Sequence, residues 1–92
     1  MLKISLDNRF KKEYKKCIKR GCDQKKFETI LKLLAEEKKL PVKYRDHVLI
    51  DNKEFKNVRE LHISPDWLLI YKIDKSTRTL RLIRIGTHSD LF

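Results

Sequence analysis

Three histidines stand in the second half of the sequence, His47, His62 and His88, with Asp66 four residues beyond the middle one. An imidazole titrates near neutral pH, so histidine can take or give a proton under cellular conditions. Three imidazoles and a carboxylate are the parts of a proton-transfer site. Cleavage of RNA asks for little more. A base removes the proton of a ribose 2′-hydroxyl and the oxygen attacks the neighbouring phosphate. An acid then protonates the departing 5′-oxygen, while cations hold the added phosphoryl charge. Arg59, Arg81 and Arg84 are candidate clamps, because a guanidinium stays charged and its planar fork meets two oxygens at once. Trp67 and Phe92 are candidate stacking surfaces for a base. Each residue also has a plainer reading. Asp66 suits a turn after Pro65, the two aromatics suit burial under helices, and the histidines suit the surface or the edge of a core.

Metal chemistry finds little support in the spacing. There is no His-x-x-x-His pair and no Cys/His cluster, and Cys17 and Cys22 are too far apart for a CxxC pair. The expectation is no metal, no other cofactor, and two free thiols.

The elements that must carry these residues follow from hydrophobic periodicity. Leu2, Ile4 and Leu6 alternate with Lys3 and Ser5, which predicts a first strand. Phe10, Tyr14, Cys17 and Ile18 fall on one face of a helix that Asp7 can cap and Gly21 can end. Phe27, Ile30, Leu31 and Leu34 repeat the stripe in a second helix, capped by Asp23 and fading near Lys38 before Pro41. Tyr44 to Asn57 reads as a loop with a short extended piece near Val48 and Leu49. Strands are predicted over Val58–Ile63, Trp67–Ile73 and Leu80–Ile85, joined by turns at Ser64-Pro65-Asp66 and Asp74–Thr77. The resulting order is β-α-α-β-β-β, an α+β fold. A helical hairpin covers one face of a small, mainly antiparallel sheet and leaves the other face for chemistry.

The chain of 92 residues is expected to be one domain spanning 1–92, with room for a shallow cleft rather than a deep pocket. Its formal net charge is +10, which favours polyanionic partners over membranes. Residues 1–40 carry 13 Lys and Arg against 6 Asp and Glu, and residues 41–92 carry 10 against 7. The helices therefore hold most of the excess, and the histidine half is nearly balanced. No apolar run is long enough to span a bilayer, and Met1-Leu-Lys-Ile-Ser5 is not followed by the apolar stretch of a signal peptide. The cytoplasm is the expected location.

Three segments carry a resemblance. They are Tyr44-Arg-Asp-His47, then Arg59-Glu-Leu-His62-Ile-Ser-Pro-Asp66-Trp67-Leu-Leu-Ile-Tyr71, then Arg84-Ile-Gly-Thr-His88-Ser-Asp-Leu-Phe92. Together they resemble the YafQ branch of the RelE-type toxins, the toxin halves of bacterial type II toxin–antitoxin pairs. The likeness covers nearly the whole chain and includes the element order. It implies a metal-independent endoribonuclease that cuts mRNA on the ribosome and is held inactive by a cognate antitoxin. It also implies that operator DNA is bound through the antitoxin complex. His47, His62, Asp66 and His88 match the family's catalytic positions, and Trp67, Arg84 and Phe92 its supporting positions. The resemblance leaves the base as Asp66 or His47, the acid as His88 or His62, and puts Arg84 on the phosphate. One stretch departs from the family. Its Gly-rich run ending in Trp-Lys-Gly is replaced by Leu49-Ile-Asp-Asn-Lys-Glu-Phe-Lys-Asn57, so the loop after His47 lacks glycine. Beside the nuclease stands a non-catalytic reading, a basic module that binds antitoxin, RNA or operator DNA. A metal-dependent hydrolase is the third.

Overall fold

The computed structural model describes residues 1–49 and 58–91. Phe92 and most of the atypical 49–57 stretch lie outside the described residues. Strand β1 (Lys3–Leu6) leads into helices α1 (Asn8–Lys19) and α2 (Gln24–Ala35), followed by a single 3₁₀ turn at Val42–Tyr44. Then come β2 (His47–Val48), β3 (Arg59–Ser64), β4 (Trp67–Asp74), β5 (Thr79–Gly86) and a short α3 (His88–Leu91). The sheet order is β1-β5-β4-β3-β2, with β1 parallel to β5 and the other pairs antiparallel. The expected meander is its centre, and the helical hairpin covers one face.

Two elements exceed the sequence expectation. The extended piece at His47–Val48 is a true edge strand on β3, and α3 follows the last strand. The turn chemistry is as read. Gly21, at φ +88°, ends α1 with the Cys22 amide on the Cys17 carbonyl and the Gly21 amide on Ile18, a Schellman ending that favours glycine. Asp23 accepts the Lys25 and Lys26 amides at the start of α2, which satisfies donors left free in the first turn. Asp7 departs from expectation. It occupies the capping position of α1 without capping through its side chain, because both carboxylate oxygens take the Arg81 guanidinium at 2.8 Å.

The main core lies between helices and sheet. Phe10, Cys17, Phe27, Ile30 and Leu34 meet Leu61, Ile63, Trp67, Leu69, Tyr71, Leu80 and Leu82. Alternation along each strand sends the intervening residues to the opposite face. There Val58, Leu68, Ile70, Ile83 and Leu91 form a smaller apolar cluster. So α3 covers part of the open face through Leu91, and the polar members of that face lie beside a dry floor. The β4–β5 register shifts between Ile70, opposite Arg84, and Tyr71, opposite Leu82. The shift leaves Ile83 as an extra residue, and such a bulge bends the strand.

Candidate active site

One row across the sheet explains how residues far apart in sequence meet. His62 on β3 pairs with Leu68 on β4, and Leu68 pairs with Gly86 on β5. Two residues beyond Gly86 is His88, so α3 begins beside His62. Their ring centroids are 5.7 Å apart. Asp66 sits in the two-residue β3–β4 turn, between paired Ser64 and Trp67, at the same end of the sheet. Its Oδ1 accepts both the His88 ring Nδ1–H at 2.7 Å and the His88 backbone amide at 3.1 Å. These two hydrogen bonds, the ring's first, hold the Asp66 carboxyl below its ordinary range. The bond also fixes the His88 tautomer. A carboxylate only accepts, so Nδ1 carries hydrogen and Nε2 is the atom left for chemistry.

His47 enters from the other side. On β2 it stands opposite Glu60 of β3. Its Nδ1 lies 2.6 Å from the Arg45 carbonyl oxygen, which again places the hydrogen on Nδ1 and leaves Nε2 to face the sheet. Glu60 is the residue that sequence reasoning missed. Its carboxylate lies 3.8 Å from His47 Nε2 and 3.7 Å from His62 Nε2. Its side chain is only 8% exposed, against 54% for His88 and 67% for Asp66. A buried carboxylate is costly unless paired, and protonated imidazoles on either side would pair it. The signal for it was present: Glu60 is two residues from His62 in a strand, hence on the same face. The four predicted catalytic residues are thus brought together, with Glu60 among them, in the order His47, Glu60, His62, His88, Asp66.

The expected supporting residues lie elsewhere. Trp67 is 5% exposed in the helix-side core, with its ring 6.5 Å from that of Phe27. The plainer reading holds for it, because Trp67 alternates away from the open face, and a base cannot stack on it there. Arg59 also alternates away from the His62 face. Its guanidinium takes Asp46 at 3.2 Å through two nitrogens, and the Tyr71 hydroxyl donates to the same carboxylate. Burial, and then the neighbouring Asp46, push the Tyr71 phenol far above its usual range. This cluster anchors the residue before His47. Arg81 is held by Asp7. Arg84 is 8% exposed and takes Glu13 of α1 at 2.6 Å, with further bonds to the carbonyls of Asp90 and Leu91. Each of the three expected clamps is engaged by a carboxylate in the fold, Arg84 in a buried pair and Arg59 and Arg81 in part-exposed ones.

The Arg84 pair belongs to a second task, holding α3. Beyond the end of β1, which pairs no further than Leu82, Glu13 also accepts the Ile85 amide. At the start of α3, Thr87 and Asp90 exchange bonds. The Thr87 amide donates to the Asp90 carboxylate, and the Asp90 amide to the Thr87 hydroxyl, a capping box. Arg20, the residue that caps the C-terminal end of α1, adds an ion pair to Asp90 at 2.8 Å. The Thr87 amide and then Arg20 pull the Asp90 carboxyl down to about 2. A Cβ on Gly86 would meet the Asp90 side chain at 2.9 Å, so glycine is what lets α3 fold back here.

Among the described residues, no three His, Cys, Asp or Glu side chains converge as a metal site, and no helix is long and apolar enough to cross a membrane.

Comparison with known proteins matches residues 2–92 to the family described as the bacterial toxin of type II toxin-antitoxin systems, YafQ. The mRNA interferase toxin YafQ of Escherichia coli BL21-DE3 is 38% identical over 90 residues, covering 97% of this chain and 94% of that protein. Among solved structures, a metal-bound toxin from Helicobacter pylori superposes with a TM-score of 0.92 at 42% identity over the whole of both chains. The E. coli DinJ–YafQ complex superposes at 0.89 with 36% identity, covering 100% of this chain and 99% of that one.

Proposed function

This chain belongs to the YafQ family of bacterial type II toxin–antitoxin toxins, and from that premise we propose how its open face cleaves mRNA. The protein is an mRNA interferase, as its curated relatives are, and it works in the cytoplasm against a cognate antitoxin, as a related toxin is found with DinJ. An acidic antitoxin suits a chain of net charge +10. It would carry any operator binding of the pair.

The observation that carries the mechanism is the Asp66–His88 hydrogen bond at 2.7 Å. A carboxylate that fixes one ring nitrogen stabilises the imidazolium and aims the other nitrogen outward. His88 then donates a proton from Nε2 to the departing 5′-oxygen, and Asp66 is its positioning partner rather than the base. His47, with Nδ1 tied to the Arg45 carbonyl, offers Nε2 to the ribose 2′-hydroxyl. His62 lies between the two and faces the phosphate, and the Glu60 carboxylate sits against the Nε2 atoms of His47 and His62. The scheme uses no metal, and the ribosome presents the mRNA in a cleavable geometry.

His88→Ala and Asp66→Ala should each relieve growth arrest on expression and slow mRNA cleavage in a translating extract by about 10²–10⁴-fold. Circular dichroism should show the fold retained. Both variants cutting at the wild-type rate would remove this site from the reaction. Protein stripped of transition metals before addition to the magnesium-containing extract should keep full activity.

A further inference from the structure

We propose that a basic cleft beside His62 seats an RNA backbone phosphate next to the one that is cut. The proposal rests on the nuclease reading and assigns the part of it that the arginines leave open. RNA must be held by cations, and Arg59, Arg81 and Arg84 are engaged by Asp46, Asp7 and Glu13. A cleft of about 390 Å³ supplies others. Lys26 from the first turn of α2 and Lys43 and Arg45 from the 3₁₀ turn line it together with Tyr44 and His62. No Asp or Glu lines it, and among the described residues none of the three cations is ion-paired to a carboxylate. The larger cleft of about 660 Å³ is different in kind, because Glu37 and Asp46 share its lining with the lysines. A site for an anion is a place where cations converge without carboxylates, and of these two clefts the first meets that description.

The position of the cleft says which phosphate it takes. Of the catalytic residues only His62 lines it. His47, Asp66 and His88 do not. The scissile phosphate belongs among those groups, so the cleft takes a neighbour. Arg45 ties the two places together. Its backbone is left-handed at φ +48°, a strained conformation for a residue with a Cβ. There its carbonyl accepts the His47 ring while the residue forms part of the cleft wall. Lys43 is steadied by Tyr44, its ammonium 5.1 Å from the ring centre. Seating a phosphate here would fix the strand's register across His62, so that the next linkage meets His47 and His88.

The test walks a single neutral methylphosphonate linkage along a short synthetic mRNA programmed into ribosomes. Single-turnover cleavage is compared for the wild type and a Lys43→Ala/Arg45→Gly variant. Glycine accepts the left-handed turn, so the backbone is kept while the cation is lost. In the wild type, one linkage within two of the cut should slow cleavage about tenfold when neutralised, the worth of one charged hydrogen bond. The variant should already be slowed about tenfold and lose less than about twofold more at that linkage, since the contact is gone. Lys26→Ala, an exposed change that leaves the α2 backbone bonds intact, should move cleavage in the same direction. Equal penalties in both proteins at every linkage, or a variant that cuts at the wild-type rate, would overturn the proposal. Wild-type protein that leaves unmodified mRNA uncut would instead remove the nuclease reading, and the phosphate seat with it.

Discussion

Glu60 is where the energetics of single residues bear most on the chemistry. It is the most buried acid of the site, 6% exposed, and sits within 4 Å of two imidazoles. Its carboxylate lies between the two rings, within reach of Nε2 of each. Glu60→Gln keeps the shape and removes the charge. Its turnover on translating ribosomes should fall about tenfold, the loss of one charge-assisted contact, with the mRNA concentration at half-maximal rate unchanged. A variant that lost melting temperature but kept full turnover would make Glu60 a packing residue only. Asp66 sits at the other extreme. It is exposed and held low by the His88 hydrogen bonds, so it stays ionised where cells live and serves as a fixed partner for the ring. Residue identity made the histidines and Asp66 easy to single out. Glu60 was harder, because its importance comes from facing His47 across β2 and β3, and β2 is only two residues long.

At the scale of elements, the position of His88 depends on α3, and α3 depends on α1. A four-residue helix has too few internal hydrogen bonds to stand alone. It is docked through Leu91 on the open face, through the Thr87–Asp90 box, and through Arg20 and the Arg84–Glu13 pair reaching from α1. Asp90 makes this docking pH-dependent with a definite sign. Its folded-state carboxyl is depressed to about 2, below its unfolded value. The stabilisation is therefore fully present above that ordinary carboxylate value and is lost as the pH falls toward about 2. The Thr87 backbone amide, which donates to the Asp90 carboxylate, should shift in NMR spectra over that acid window in the wild type and not in Asp90→Asn. The same transition in both proteins would separate α3 docking from Asp90. Periodicity could announce the twelve-residue helices and the three long strands, since each repeats its pattern several times. It could not announce β2 or α3, which end before any pattern repeats. The arginines misled for a related reason. Sequence shows a guanidinium but not which carboxylate folding brings to it, and Asp7, Asp46 and Glu13 come from segments 13 to 74 residues away.

At the scale of the molecule, the fold separates a charged scaffold from a nearly neutral site. The basic excess of residues 1–40 sits on helices that pack the far face, and two acids of that stretch, Asp7 and Glu13, are spent on Arg81 and Arg84. Several lysines of α1 remain exposed around them, a surface suited to polyanionic partners. The open face meanwhile gathers residues from β2, β3, the β3–β4 turn and α3 at one end of the sheet. The most direct test of its proposed chemistry is the nature of the ends it leaves on mRNA. Wild-type protein added to a translation reaction should leave a 2′,3′-cyclic phosphate or 3′-phosphate on one fragment and a 5′-hydroxyl on the other, and His88→Ala should leave almost none of either. A 3′-hydroxyl facing a 5′-phosphate, made equally well by His88→Ala, would contradict attack by the ribose and the site described for it.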